Sequence, residues 1–391
     1  MRSAAAQFEQ FFAQIEADPT IAETLMQPDD PAAFIALVLD MARDRGLLLD
    51  APWLEAAIER RRPVLTVDGG GALPPRSWLP TRAQWRGQDL AVDWRYLGAR
   101  RLREPFFEET VARFGNKPFN RLLRYATPIG ALHAWLQQHP PLPPAGFIFH
   151  LSRCGSTLVS QMLAAIPSNV VVSEASPIDT VVQARRIRSD LGEAQHADWL
   201  RWIIGALGQP RCGEQHVFVK LDSWHALALP LFRRAFPTVP WIFLYRDPIE
   251  ILVSHLNRPG LHMVPGALGH DLFGLAASRA MQTPETYRAE ILGRICGAVL
   301  RDCAPGRALL VNYRQLPAAL WTDILPHFGV AVSEADREAM AGAARYDAKS
   351  PKIPFARDRA AKQALATTRI RAAATTIGEY YQRLEALRTA P

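Results

Sequence analysis

Lysine is scarce in this chain: of 45 basic residues only five are lysine, the rest being arginine. No lysine-rich tail is present, and a formal net charge of +7 is modest for 391 residues. That balance argues against a nucleic-acid-binding arm and suits a small anionic ligand. Arginine favours planar, bidentate contacts to phosphate or carboxylate, although a GC-rich bacterial genome produces the same bias. Cysteine is also sparse. Cys154, Cys212, Cys296 and Cys303 have no metal-ligand spacing, so neither a disulfide framework nor a zinc site is expected. No uninterrupted apolar run is long enough for a membrane span. The start, MRSAAAQFEQFFAQIE, carries acids at helical spacing in place of a basic region and apolar run, which predicts no signal peptide and a cytoplasmic protein. The lysine-ended GxxxxGK[ST] loop of nucleoside triphosphatases is missing too.

Residues 1–62 read as a small helical unit. Phe8, Phe11, Phe12 and Ile15 recur at helical spacing; Asp30-Pro31 starts a second helix and Asp50-Ala51-Pro52 a third. The segment TVDGGGALPP breaks the pattern, placing a linker at 63–77. This unit resembles the short helical domain of nitrogen-fixation-associated leader peptides, which precedes ribosomally made, modified peptides. The plainer reading is a helical appendage. Residues 78–144 are aromatic-rich and mixed, with a strand expected in DLAVDWRYLG and helices in REPFFEETVARF and PIGALHAWLQQH. His133 and His139 there read as surface or packing residues, and no chemistry is apparent.

From residue 145 to 391 short apolar runs alternate with helical stretches. GFIFH, NVVVS, HVFVK, WIFLY and ALLVN read as buried strands. Such alternation predicts an α/β fold, a P-loop-type parallel sheet with helices on both faces. Ligands of these sheets sit at the carboxyl ends of strands. The first strand leads into SRCGSTL, where Gly155 permits close backbone approach, Ser156 and Thr157 carry hydroxyls and Arg153 adds charge. A second strand ends in Arg246-Asp247-Pro248, with Ser254 two helical turns on.

Together these motifs resemble the sulfotransferases that use 3′-phosphoadenylyl sulfate (PAPS). The resemblance implies that Arg153, Cys154, Gly155, Ser156, Thr157 and Leu158 hold the 5′-phosphosulfate, with Cys154 acting through its backbone. It also implies that Arg246 and Ser254 hold the 3′-phosphate. A downstream YxxL is matched by Tyr313-Arg314-Gln315-Leu316. The family also uses a late basic loop, for which KIPFARDRAAKQ offers Arg357, Arg359 or Lys362, a choice left open. No metal is implied.

Sulfuryl transfer needs a base, a cation for the leaving phosphate and aligned oxygens. Arg153 is the leaving-group cation. Glu174, after NVVVS, is the expected base, with helix capping as its alternative role and His225 as its rival. Lys220 ends a buried strand where an unpaired ammonium would be costly; resemblance to protein-tyrosine sulfotransferases implies contact with the transferring group. The leading expectation is a PAPS-dependent sulfotransferase acting on a hydroxyl, a peptide side chain being one option. The alternatives are a P-loop phosphotransferase and a peptide-binding scaffold with a relic transferase core.

Overall fold

The computed structural model describes residues 4–59, 73–268, 270–275, 283–303, 307–356 and 358–389. Its internal contacts divide the chain into two units. One comprises Met1–Leu142, Ala175–Leu191 and Asp198–Gly213; the other comprises Pro143–Glu174, Gly192–Ala197 and Glu214–Pro391.

In the first unit, the helix Ala4–Ala17 buries Phe8, Phe11, Phe12 and Ile15. A helix that the apolar spacing does not reveal follows at Pro19–Leu25. Its seven residues are too few to display a period, but Asp18 caps it, accepting from the Thr20 N–H at 2.9 Å. The helix Pro31–Arg43 begins on Asp30, which accepts from the Ala33 N–H at 2.9 Å, and the helix Ala51–Glu59 buries Leu54 and Ile58. Most of the expected linker lies outside the described residues. Three antiparallel strands come next: β1 (Trp78–Arg86), β2 (Asp89–Tyr96) and β3 (Tyr125–Pro128), in the order β1-β2-β3. Strand β2 lies where expected. Strand β1 was hidden by Pro80, which a register shift between Pro80 and Arg82 accommodates. The N-terminal helices and this sheet share a core: Phe12 packs 5.7 Å from Tyr125, and Tyr96 Oη donates to Glu23 at 2.9 Å.

The second unit is built on five parallel strands, β4 (Pro144–His150), β5 (Asn169–Ser173), β6 (His216–Lys220), β7 (Trp241–Tyr245) and β8 (Ala308–Asn312). All five expected strands are present, in the order β5-β6-β4-β7-β8. Being buried on both faces, they read as unbroken apolar runs. Ile148, Phe218, Ile242 and Val311 pack in one cluster with Val159 and Met162 of the helix Ser156–Ala165. On the opposite face Phe147 and Phe149 meet Phe232 of the helix Leu229–Ala235, at 5.5 and 5.3 Å between ring centroids. Strand β4 lies at the switch point: the connection from β4 runs to β5 on one side, and that from β6 crosses to β7 on the other. A two-stranded hairpin, β9 (Tyr346–Asp347) and β10 (Ser350–Pro354), precedes the helices Arg359–Ala364 and Thr368–Thr389.

Candidate functional site

Strand β4 gives way to the helix Ser156–Ala165 through a turn with unusual backbone angles. Ser152 and Arg153 have φ of 64° and 51°, and Gly155 has φ of 89°. Non-glycine residues rarely enter this left-handed region, and strain of this kind collects at ligand-holding turns. Gly155 leaves the helix start without a side-chain cap, so its first N–H groups face outward to an anion or water. A Cβ there would meet Leu316 Cδ1 at 2.7 Å and Tyr313 Cδ2 at 2.9 Å. The YxxL residues therefore close against the loop glycine, and only glycine fits.

The loop's side chains divide in two directions. Cys154 is buried, its thiol donating to the Leu244 carbonyl at 3.1 Å, and burial pushes that thiol up to about 12. It is not an oxidation-prone thiolate, because burial outweighs the opposing pull of nearby backbone hydrogen bonds and of Arg246 and Lys220. Leu158 also turns into the core. What Cys154 and Leu158 can offer a ligand is backbone. Ser156 and Thr157 are nearly buried, and Arg153 donates to the carbonyl of Arg258.

Glu174, Lys220 and His150 close the carboxyl ends of three neighbouring strands. In the sheet register Lys220 lies opposite both Ser173 and Ile148, so Glu174 and His150 overhang it from either side. Lys220 Nζ is 2.6 Å from Glu174 Oε1, with a wholly buried side chain, and 3.4 Å from Thr157 Oγ1. The charge that burial would penalise thus has its partner. Glu174 itself has φ of 52°, and its N–H donates to the Lys220 carbonyl at 2.8 Å. Burial pushes its carboxyl up, but Lys220 and His150 outweigh that and hold it well below the usual carboxylate range. Glu174 ends the strand without capping the helix Ser176–Val182, whose N-cap residue is Ala175.

Arg246, ending β7, is nearly buried in a chain of alternating charges. Its Nε donates to Glu250 at 2.6 Å and its Nη2 to Asp358 at 2.6 Å, while its guanidinium lies 4.0 Å over the Tyr313 ring. Lys362 Nζ reaches the other Asp358 oxygen at 2.5 Å, and Arg359 Nε lies 3.3 Å from Glu250. Of the late basic residues, Arg359 and Lys362 are therefore brought to Arg246, on a short helix and not a loop; Arg357 lies outside the described residues. Asp247 caps the helix Pro248–Asn257, accepting from Ile249 at 3.0 Å and Glu250 at 3.2 Å. Ser254 Oγ donates to the Glu250 carbonyl at 2.7 Å.

His225 is placed differently. It is buried in the 3-10 turn Ser223–Ala228, where its Nδ1 accepts from the Asp222 N–H at 3.3 Å in a capping box. His255 and His262 are also buried, and burial with neighbouring charges pushes them down to about 2 and about 3. One residue the sequence did not suggest is Lys349, on the turn of the β9–β10 hairpin. Although it is exposed at the surface, surrounding protein, Arg153 and Lys220 together lower its ammonium to about 8. No local pattern marks a turn lysine, so only its neighbours single it out. A cavity of about 800 Å³ lies elsewhere, between the helices Pro284–Asp302 and Thr368–Thr389, lined by Arg294, Arg301, Tyr380 and Arg383 among others. None of the residues named above for sulfuryl transfer lines it.

No protein-family model matches the chain, and no curated protein matches it. Solved structures do. Sulfotransferase STF9 from Mycobacterium avium is 14% identical over 65% of this chain and 82% of its own, with a TM-score of 0.40. The sulfotransferase domain of the Synechococcus PCC 7002 olefin synthase is 18% identical over 65% of this chain and 97% of its own, at 0.36. Sulfotransferase STF1 from Mycobacterium tuberculosis H37Rv is 17% identical over 54% and 75%, at 0.33.

Proposed function

We propose that the chain is a sulfotransferase that moves SO₃ from PAPS to an acceptor hydroxyl. The observation that carries this reading is the Glu174–Lys220 pair, set at 2.6 Å across the ends of adjacent strands and beside the strained turn. The residues fit such a donor: an uncapped helix start with Arg153 and Lys220 at one place, and Arg246 with Arg359 and Lys362 at another. Backbone N–H groups of the turn hold the 5′-phosphosulfate. Glu174 takes the acceptor's proton as the acceptor oxygen bonds to sulfur. The bond from sulfur to the phosphate oxygen breaks, its electron pair leaves on the phosphate, and Arg153 and Lys220 stabilise that charge. Arg246 and Lys362 hold the 3′-phosphate once Asp358 yields them. A peptide side chain is a fitting acceptor if the leader-like N-terminal helices act as a recognition handle. Because those helices share a core with β1–β3, substituting their exposed residues tests that role better than deletion does.

Thermal unfolding with added nucleotides tests the donor. 3′,5′-ADP without divalent cations is expected to stabilise the protein, and ATP with Mg²⁺ is not. The opposite result supports a phosphotransferase. Incubation with PAPS and hydroxyl-bearing peptides, read by mass spectrometry, then identifies the acceptor class.

A further inference from the structure

Resting on the reading of Glu174 as base, we propose that His150 keeps Glu174 oriented when Lys220 turns from it to the phosphosulfate. His150 ends β4 and is 5% exposed. Its Nδ1 accepts from the Ser152 N–H at 3.0 Å, within the strained turn, so the ring proton sits on Nε2. That Nε2 lies 3.2 Å from Glu174 Oε1 but off the hydrogen-bond axis, and among the described residues it has no other acceptor. Lys220 occupies the same carboxylate oxygen at 2.6 Å, while Thr157 of the turn lies 3.4 Å from its ammonium. An anion at the turn offers Lys220 a second partner close by. A carboxylate left by its lysine needs another donor to keep its direction, and the imidazole N–H is already in reach.

The exchange also suits the chemistry. Lys220 favours the charged carboxylate strongly, which makes Glu174 a weak base; a neutral imidazole favours it less. The groups facing Glu174 are Lys220, His150, Arg153, His262 and Lys349, and of these only Lys220 and His150 touch it within 3.2 Å. Burial keeps His150 below its ordinary range, so it stays a neutral donor. His150 is thus a positioning residue that also ties the base to the backbone of the anion-holding turn.

The test uses the full chain with His150→Phe and His150→Gln. His150→Phe is expected to lower turnover about 100-fold, the scale of a slightly misplaced reacting group, while leaving 3′,5′-ADP affinity unchanged. Loss of a donor to the charged form raises the Glu174 pKa. The acid limb of the turnover–pH profile, where activity falls as Glu174 is protonated, therefore moves to higher pH. His150→Gln restores a donor and should recover turnover and bring the limb back. If the phenylalanine variant does not fold, His150→Asn, too short to reach Glu174, replaces it. An unmoved acid limb overturns the proposal, whether activity is normal or falls together with nucleotide affinity. Full turnover in Glu174→Gln sinks the base reading itself, a separate outcome.

Discussion

Two clusters of opposite charge sit at strand ends in the second unit, and they are built differently. At β4, β5 and β6 one carboxylate, Glu174, meets a wholly buried lysine on the ends of hydrogen-bonded strands. At β7 two carboxylates, Glu250 and Asp358, alternate with three cations, and Asp358 is 43% exposed just before a six-residue helix. The first cluster is set by the sheet and stores backbone strain. The second is closed by a distant segment whose carboxylate sits on the cations a phosphate would need. Chemistry demands fixed geometry, whereas a binding subsite tolerates rearrangement. Under the proposed function, catalysis falls to the first cluster and nucleotide capture to the second.

The sharpest way to break that division is Glu174→Gln. It should leave 3′,5′-ADP affinity intact and lower turnover by about 10²–10⁴-fold, the usual worth of a general base. Single-turnover assays with PAPS check it, and a loss confined to affinity would exchange the roles of the clusters. Next in size, Arg246→Ala should weaken 3′,5′-ADP by about 1.5–3 kcal/mol, the scale of hydrogen bonds to charged groups. Calorimetry with adenosine 5′-phosphosulfate, which has no 3′-phosphate, should show little change; equal losses would remove the 3′-phosphate assignment. The smallest effect is expected from Asp358→Asn. Removing a partly exposed competing carboxylate should tighten 3′,5′-ADP by up to about fivefold. Weaker binding would instead make Asp358 an organiser of Arg246 and Lys362.

The five parallel strands were legible because each is buried on both faces and reads as an apolar run, and the N-terminal helices because their phenylalanines keep one face. Strand β1 and the helix Pro19–Leu25 were not, since one carries a proline at a bulge and the other is shorter than a readable period. Glu174 and Lys220 stood out as polar residues ending apolar strands, and the structure brings them together. His150 ends such a strand too, in FIFH, and could have been noticed on the same ground. Asp358 and Lys349 carried no signal, being charged residues in a polar stretch.

What the sequence by itself determined is the alternation of buried strand and helix, the glycine turn and the charged residues that end the apolar strands. Burial and backbone freedom are local properties, written in runs of a few residues. Which charges meet was decided only by the tertiary structure. Strand order laid β6 between β5 and β4, so that Lys220 faces Glu174, 46 positions earlier, and His150, 70 positions earlier. Charge pairing acts over a few ångströms of space, and no sequence interval encodes that separation until the sheet has closed it.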